Sequence, residues 1–308
     1  MAAISTIATI VDAGGTPRIA RTRAAIAVDY WRLTKPEVNV LILLATCAGF
    51  YLAWPVQVET FPLMRLVNTA LATLLVASGA AALNQYAERR FDARMLRTAR
   101  RPLAARRLEP SAVLRFGVAL TFAGILYLAV ALNTLASVLA VFTVASYLGV
   151  YTPLKRETPR CTLLGAFSGA VPPLIGWAAA SGRLTAGAWI LYGILFLWQF
   201  PHFMAIAWLY REDYDRAGYR ILPPGAHRAR FVAWHSLLPA LALIPLSLMP
   251  TCLGDANRAY LIGAFLLSAS FAWCAAQLAL QRSNVTARRL LFGSILYLPA
   301  LLTLLMAA

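Results

Sequence analysis

Asn84, Glu88 and Asp92 recur at intervals of four in the segment LNQYAERRFDARMLRTARRPL, residues 83–103. At about 100° per residue each step of four drifts only about 40°, so an α-helix places all three side chains along one face. Two carboxylates and an amide in a row make an oxygen-rich ladder. Such a ladder suits Mg²⁺, which binds through one or two carboxylates together with substrate phosphates. Arg97 and Arg101 follow on the same strip of chain. The plain alternative is a solvated helix on which Glu88 and Asp92 pair with Arg89, Arg94 or Arg97, since such surface pairs are common and contribute little. Asn84 tips the balance: it stands at the end of an apolar run, where a polar side chain has a cost and marks a functional position.

A second polar segment, WQFPHFMAIAWLYREDYDRAGYRILP, spans residues 198–223 and gathers Glu212, Asp213 and Asp215. His202 and Asp213 are eleven positions apart, about 20° from whole turns, so on a continuous helix they share a face, with His202 roughly 16 Å deeper unless Pro201 bends the chain. A lone membrane histidine is most simply a hydrogen-bonded packing residue; its depth makes a ligand or acid/base role the competing expectation. Between the acidic segments lies YTPLKRETPR, residues 151–160, with Lys155 and Arg156 at the end of an apolar run. Their positive charge anchors topology. Two acidic clusters and a basic clamp on one face also suit a metal-bridged diphosphate, and apolar helices behind them suit a lipid-like tail.

The elements that position these groups must be membrane helices. Of 308 residues 60% are apolar, against roughly 45–50% in a soluble domain. Mean hydropathy is +0.67, and the net charge of +16 is distributed in short clusters between long apolar runs, a pattern of membrane topology rather than of nucleic-acid binding. Uncharged runs of spanning length predict nine helices near residues 38–54, 66–85, 114–132, 134–153, 161–181, 187–209, 231–251, 259–280 and 290–307. Arg115, in the first turn of the third, can snorkel to the interface. With alternating connections, one face receives 25 of the 28 basic residues and the other only Arg65, Arg183 and Arg258. The positive-inside rule then places the N-terminus in the cytoplasm and the C-terminus outside.

Residues 1–30 lack the apolar core of a signal peptide and read as a flexible cytoplasmic tail; a mitochondrial transit peptide is the alternative, since Arg18, Arg21 and Arg23 outnumber Asp12. Residues 31–308 read as one membrane domain without a fixed-period repeat. The four cysteines lack paired metal spacing, and no H-E-x-x-H motif accompanies the three histidines, which argues against a zinc site and histidine-bound metal hydrolysis.

The chain resembles the UbiA-type membrane prenyltransferases, and within them the branch that farnesylates haem. The resemblance runs from Trp31 onward. It rests on RLTKPEV at 32–38, on N-x-x-x-E-R-x-x-D-x-x-M-x-R-T from Asn84 to Thr98, and on RPL at 101–103. YTPLKR at 151–156, GAFSGAVPPLIGW at 165–177, and WQFPHF with DYDRAG between Trp198 and Gly218 complete it. It implies an all-α bundle of nine transmembrane helices using Mg²⁺. Asn84, Glu88 and Asp92 then match the first metal-diphosphate motif and Asp213 the second, as catalytic and metal-binding residues. Arg97, Arg101, Tyr151, Lys155, Arg156 and His202 fall to substrate binding, with His202 on the haem side. Arg90 departs from the pattern, standing where the resemblance implies an acid.

The implied substrates are farnesyl diphosphate and haem b, and the implied product haem O, made with addition of water in a bacterial cell inner membrane or, as the alternative, the mitochondrial inner membrane. Proteins of haem A synthesis or oxidase assembly are the implied partners, besides the lipid bilayer. Breaking an allylic carbon–oxygen bond puts charge on diphosphate, which Mg²⁺ and fixed cations stabilise where water is excluded. Tyr147, Tyr151 or Trp177 offers an aromatic face to the allylic cation. A quinone-precursor acceptor is the nearest rival. A polytopic anion transporter fits worse, because the acidic ladders lie toward one face and no paired broken helices recur in two halves.

Overall fold

The computed structural model describes residues 9–11, 17–19, 22–54, 60–254 and 256–308. Asp12 and Arg21 of the expected tail lie outside these residues. β1 (Thr9–Val11) and β2 (Pro17–Ile19) form an antiparallel ribbon. α1 (Arg23–Leu33) follows, its N-terminus capped by the Thr22 side chain, which accepts from the Ala25 N–H. The expected tail boundary at residue 30 thus falls inside a helix.

The remaining helices are α2 (Pro36–Ala53), α3 (Leu63–Asp92), α4 (Pro110–Ala131) and α5 (Thr134–Ala145). A π-helical turn, Ser146–Tyr151, leads to α6 (Thr152–Leu154), α7 (Cys161–Gly169) and α8 (Pro172–Ser181). α9 (Ala186–Leu209), α10 (Arg211–Ala217), α11 (His227–Cys252), α12 (Arg258–Gln281) and α13 (Asn284–Met306) complete the chain. Nine spans among the described residues are long and apolar enough to cross a membrane, and each overlaps one predicted from sequence. Outside the β1–β2 ribbon the described elements are all helices, and the protein is an integral membrane protein of the all-α class. α5, the π turn and α6 make the fourth span; α7 and α8 make the fifth.

The spans close into a ring. α3 packs on α4, α4 on α5, α9 on α11, α11 on α12, α12 on α13, and α13 returns to both α9 and α2. α8 sits inside it, touching α2, α3, α5 and α9, and the fifth span is the most buried of the nine. Small residues permit this approach: a Cβ on Gly176 would overlap the Thr46 carbonyl, and one on Gly49 the Pro173 carbonyl. Helices in lipid associate by such close packing because lipid tails offer no hydrophobic contrast. The break before α8 falls at Pro172 and Pro173, whose missing N–H groups are tolerated in a first helical turn.

α3 runs seven residues beyond the predicted end of the second span at 85. Its 30 residues are about 45 Å long, against a hydrocarbon thickness of about 30 Å. Its last turns, the connection at 93–109, the connection at 155–160 and α10 therefore meet at one end of the bundle. α1 is pinned there: Leu33 packs with Ala82, Leu103, Leu108 and Val113, while Arg107 forks onto buried Asp29 with Nη2 2.9 Å from Oδ1.

Candidate active site

The ladder forms on α3. Asn84, Glu88 and Asp92 are 1%, 7% and 1% exposed, so the face predicted by spacing points into the protein and not to solvent. Each rung has a basic partner from a different segment. Lys35 Nζ donates to Asn84 Oδ1 at 3.4 Å, Lys155 Nζ to Glu88 Oε1 at 2.8 Å, and Arg101 Nη1 to both Asp92 oxygens at 2.9 and 2.8 Å. The alternative of pairing along the helix to Arg89, Arg94 or Arg97 is not what forms. Arg89 instead donates to the Tyr86 carbonyl and stacks on its ring. Arg90, the departure from the family pattern, faces away from the ladder and lines a separate recess with Arg94 and Arg106.

Backbone geometry sets each cation. Lys35 occupies the left-handed region at φ 51, ψ 61, immediately before Pro36 opens α2, a conformation uncommon for a residue with a Cβ. Burial, and then repulsion by Arg101, lowers its pKa to about 7, against the opposing pull of Glu88. Lys155 is held between rungs: burial works against its charge, but Tyr151 and Glu88 outweigh it and keep its pKa well above the ordinary lysine range. Arg101 reaches Asp92 because Thr98 Oγ1 donates to the Asp92 carbonyl at 2.8 Å and turns the chain tightly after α3.

An aromatic wall stands beside the cations. Tyr147 and Tyr151 stack with centroids 5.6 Å apart, and Lys155 Nζ lies 4.4 Å from the Tyr151 centroid. Asn84 Nδ2 donates to Thr152 Oγ1 at 3.2 Å, which donates to the Tyr147 carbonyl at 2.8 Å, so the π turn is tied to the ladder. A Cβ on Gly165 would come within 2.6 Å of the Tyr151 ring; only glycine leaves that ring its place. Trp177 does not join this wall. It packs against Gly187 at the start of α9, toward the other end of the bundle.

The second acidic segment divides. Asp213 is buried, and its carboxylate accepts the Leu96 and Arg97 N–H groups at 3.2 Å each, with Arg216 Nη1 at 2.8 Å. Glu212 is 81% exposed, and Asp215 is forked by Arg228 at 2.9 Å. Arg97 is exposed; its guanidinium lies over the Tyr210 ring at 4.7 Å and donates to the Tyr214 hydroxyl at 3.1 Å. Arg156, also exposed, covers the Phe91 ring at 4.9 Å. The shared helical face expected for His202 and Asp213 is not present: Tyr210, at φ −110, ψ 22, ends α9, and α10 starts anew. His202 lies apart from the ladder on α9, where its Nδ1 meets Ser294 Oγ of α13 at 2.7 Å.

Sequence reasoning missed three residues of the cluster. Lys35 belongs to RLTKPEV, where its closeness to the first span was the available signal. Thr152 had none. Tyr219 is buried beside Glu88 and Asp92, and its hydroxyl has no hydrogen-bond partner of good geometry among the described residues. Burial, and next the Glu88 carboxylate, push that phenol above its ordinary range. Among the described residues no three His, Cys, Asp or Glu side chains converge. The donors fit a divalent ion that takes one or two carboxylates here and its remaining oxygens from a phosphate ligand.

The profile of the UbiA prenyltransferase family matches residues 42–297. A protoheme IX farnesyltransferase of Solibacter usitatus (strain Ellin6076) is 47% identical over 277 residues, 88% of this chain and 95% of the relative. Among solved structures, one of digeranylgeranylglyceryl phosphate synthase superposes with a TM-score of 0.72 at 16% identity, covering 91% of this chain and 97% of the other. A UbiA homolog from Archaeoglobus fulgidus bound to GPP and Mg²⁺ does so with a TM-score of 0.61 at 13% identity, covering 90% and 99%. These last two likenesses are of fold.

Proposed function

The chain belongs to the UbiA prenyltransferase family, and we propose that it transfers the farnesyl group of farnesyl diphosphate to a vinyl group of haem b, adding water and releasing diphosphate, to give haem O for terminal oxidases. The observation that carries this reading is the 47% identity to a protoheme IX farnesyltransferase across 88% of the chain. The site geometry supports its chemistry. Asn84, Glu88 and Asp92 would supply the oxygens for Mg²⁺, the ion bound with GPP in the Archaeoglobus fulgidus homolog, while Asp213, expected from its motif as a further metal ligand, holds the loop at Leu96 and Arg97 instead. Bound there, Mg²⁺ supplies positive charge to the departing diphosphate. Lys35, Lys155 and Arg101 meet the remaining phosphate oxygens as negative charge grows on them, in a setting where fixed cations act more strongly than in water. Arg97 and Arg156 are the exposed cations on the solvent side of this cluster. Tyr147 and Tyr151 turn ring faces toward the allylic cation, and His202 lies on the haem side.

The same reading sets the protein in a bacterial inner membrane with the ladder at the cytoplasmic end, by the asymmetry of basic residues between the two ends. Overexpression of the full chain, followed by mass spectrometry of extracted haems, tests it. A haem heavier by farnesol is expected, and its loss in Asp92→Asn. Prenylated quinone precursors with unaltered haem would overturn it.

A further inference from the structure

Four arginines line a recess of about 640 Å³ that the ladder does not use: Arg89 and Arg90 at the end of α3, Arg94 just beyond it, and Arg106 in the connection to α4. Arg89, Arg90 and Ala93 stand about 100–200° around the helical axis from Glu88, so the recess lies on the far side of α3 from the ladder. Glu109 is the only acid that lines it. The cations around the ladder are matched: Lys155 has Glu88, Arg101 has Asp92 and Arg216 has Asp213. Here they are not. Arg89 donates to the Tyr86 carbonyl and Arg94 lies over the Phe91 ring at 5.9 Å, while the guanidinium groups of Arg90 and Arg106 have neither an ion pair nor a hydrogen bond among the described residues.

The chain holds this arrangement against a conformational cost. Arg106 takes φ 54, in the left-handed region that disfavours a residue with a Cβ, and strain of this kind collects at ligand clamps. The turn parts two neighbours: Arg107 forks onto Asp29 while Arg106 lines the recess. The depth suits a lipid headgroup. Arg89 lies four residues beyond the end of the second apolar run at 85, and Pro110, also in the lining, four residues before the start of the third at 114. At about 1.5 Å per residue both stand about 6 Å outside the hydrocarbon, within a headgroup layer about 5–8 Å thick on each side. Leu103 and Leu108 give the recess an apolar wall. Further along α4, Val118, Phe122 and Leu126 are 51%, 66% and 50% exposed, at spacings that keep them on one face.

From the unmatched charge, the cavity and its depth, we infer that the recess binds an anionic phospholipid, its phosphate held by Arg90, Arg94 and Arg106 and its acyl chains laid along α4. Arginine forks onto phosphate oxygens in pairs, and basic pockets between membrane helices take the headgroup of cardiolipin. Four guanidinium groups against one carboxylate match its two phosphates better than the single phosphate of other lipids. The bound lipid also reaches the ladder indirectly. It grips the connection at Arg94 and Arg106, on either side of the stretch that brings Arg101 to Asp92.

The test uses the full chain in neutral detergent, titrated separately with cardiolipin, phosphatidylcholine and inorganic phosphate. Native mass spectrometry reads bound lipid, and amide hydrogen exchange reads residues 93–109. No substrate is present, so the outcome stands apart from farnesyl transfer. Cardiolipin should be retained and should slow exchange in that connection, while phosphatidylcholine does neither. Arg90→Gln should weaken retention about fivefold, and Arg90→Gln with Arg106→Gly about thirtyfold, for the loss of one and two arginine–phosphate attractions. Both side chains are exposed and glycine takes φ 54 freely, so exchange in the spans should be unaltered. Arg100→Gln removes an exposed arginine of the same connection that does not line the recess, and should change nothing. Equal retention by the wild type and the double variant, or an equal loss in Arg100→Gln, would overturn the site. Slowed exchange with inorganic phosphate alone would overturn the lipid in favour of a free phosphate ligand.

Discussion

Asp213 grips the chain at Arg97: its Oδ2 accepts the Arg97 N–H and its Oδ1 the preceding Leu96 N–H, both at 3.2 Å. The acid of the second motif thus acts on the loop that carries the arginines of the first. Asp213→Asn turns one acceptor into a donor facing an N–H and leaves Arg216 without its partner. Each charge-assisted bond is worth about 1.5–3 kcal/mol. We expect faster amide hydrogen exchange across residues 93–101 and a fall in kcat/KM, with the spans still protected. Unchanged exchange in that loop would refute the gripping role.

Asp92 and Glu88 should part company under mutation. Asp92 is paired with an arginine about a quarter exposed, Glu88 with a lysine that is almost as buried as itself. Asp92→Asn should therefore abolish Mg²⁺-dependent turnover while thermal unfolding in detergent moves little. Glu88→Gln leaves Lys155 buried and uncompensated, which costs about 3 kcal/mol or more; the double change Glu88→Gln with Lys155→Met should recover part of that stability and none of the activity. Near-normal turnover of Asp92→Asn at limiting Mg²⁺ would remove that residue from the site.

Lys35 gives the site a pH dependence. With its pKa lowered to about 7, it is protonated below that pH and loses its charge above it, so affinity for a diphosphate should fall as pH rises through 7. Binding draws the pKa upward, hence calorimetry in buffers of different ionisation enthalpy should show proton uptake above pH 7. Lys35→Met should weaken binding and flatten the profile; Lys35→Arg should keep affinity high at alkaline pH. A wild-type profile that is level from pH 6 to 9 would contradict this.

Topology is open to direct labelling. Single cysteines near Arg107 and Arg183 in a cysteine-free chain should react from opposite sides of a sealed vesicle, since an odd number of spans separates them. Reaction from one side would demand a different threading.

Gly165→Ala tests the aromatic wall. A methyl group there meets the Tyr151 ring at 2.6 Å, so the ring must swing away from Lys155. Turnover should drop by about tenfold or more, as misplacement by about 1 Å can cost a hundredfold, while Tyr151→Leu together with Gly165→Ala should add little to either change alone.

The spans were legible because lipid imposes one strong rule: about 20 apolar residues between charges. The ladder was legible because a period of four on a helix is a local property, independent of what the helix touches. The partners of the ladder were not. Lys35, Lys155 and Arg101 reach Asn84, Glu88 and Asp92 from separations of 49, 67 and 9 residues; Lys155 and Arg101 are readable in the sequence as substrate-binding cations but not as partners of particular rungs, and Lys35 only as topology. The stop at Tyr210 was hidden too. Neither proline nor glycine marks it, and the helical period of the sequence runs on through it, so His202 and Asp213 were expected on one face that the chain does not build. Asp213 itself was legible as an acid but not as a cap for Leu96 and Arg97, which requires the loop after α3 to fold back.

The pairing of every acid on α3 with a cation has a consequence for the order of events. Glu88 and Asp92 are free to turn to a divalent ion only once Lys155 and Arg101 have found another anion, and those cations are free to take phosphate only once the carboxylates have found another positive charge. Either ligand arriving alone strands a buried charge, a loss of several kcal/mol; arriving together they merely exchange partners. On the proposed assignment the site should therefore act as a coincidence detector, responding weakly to free metal and to metal-free diphosphate and strongly to the complex of the two.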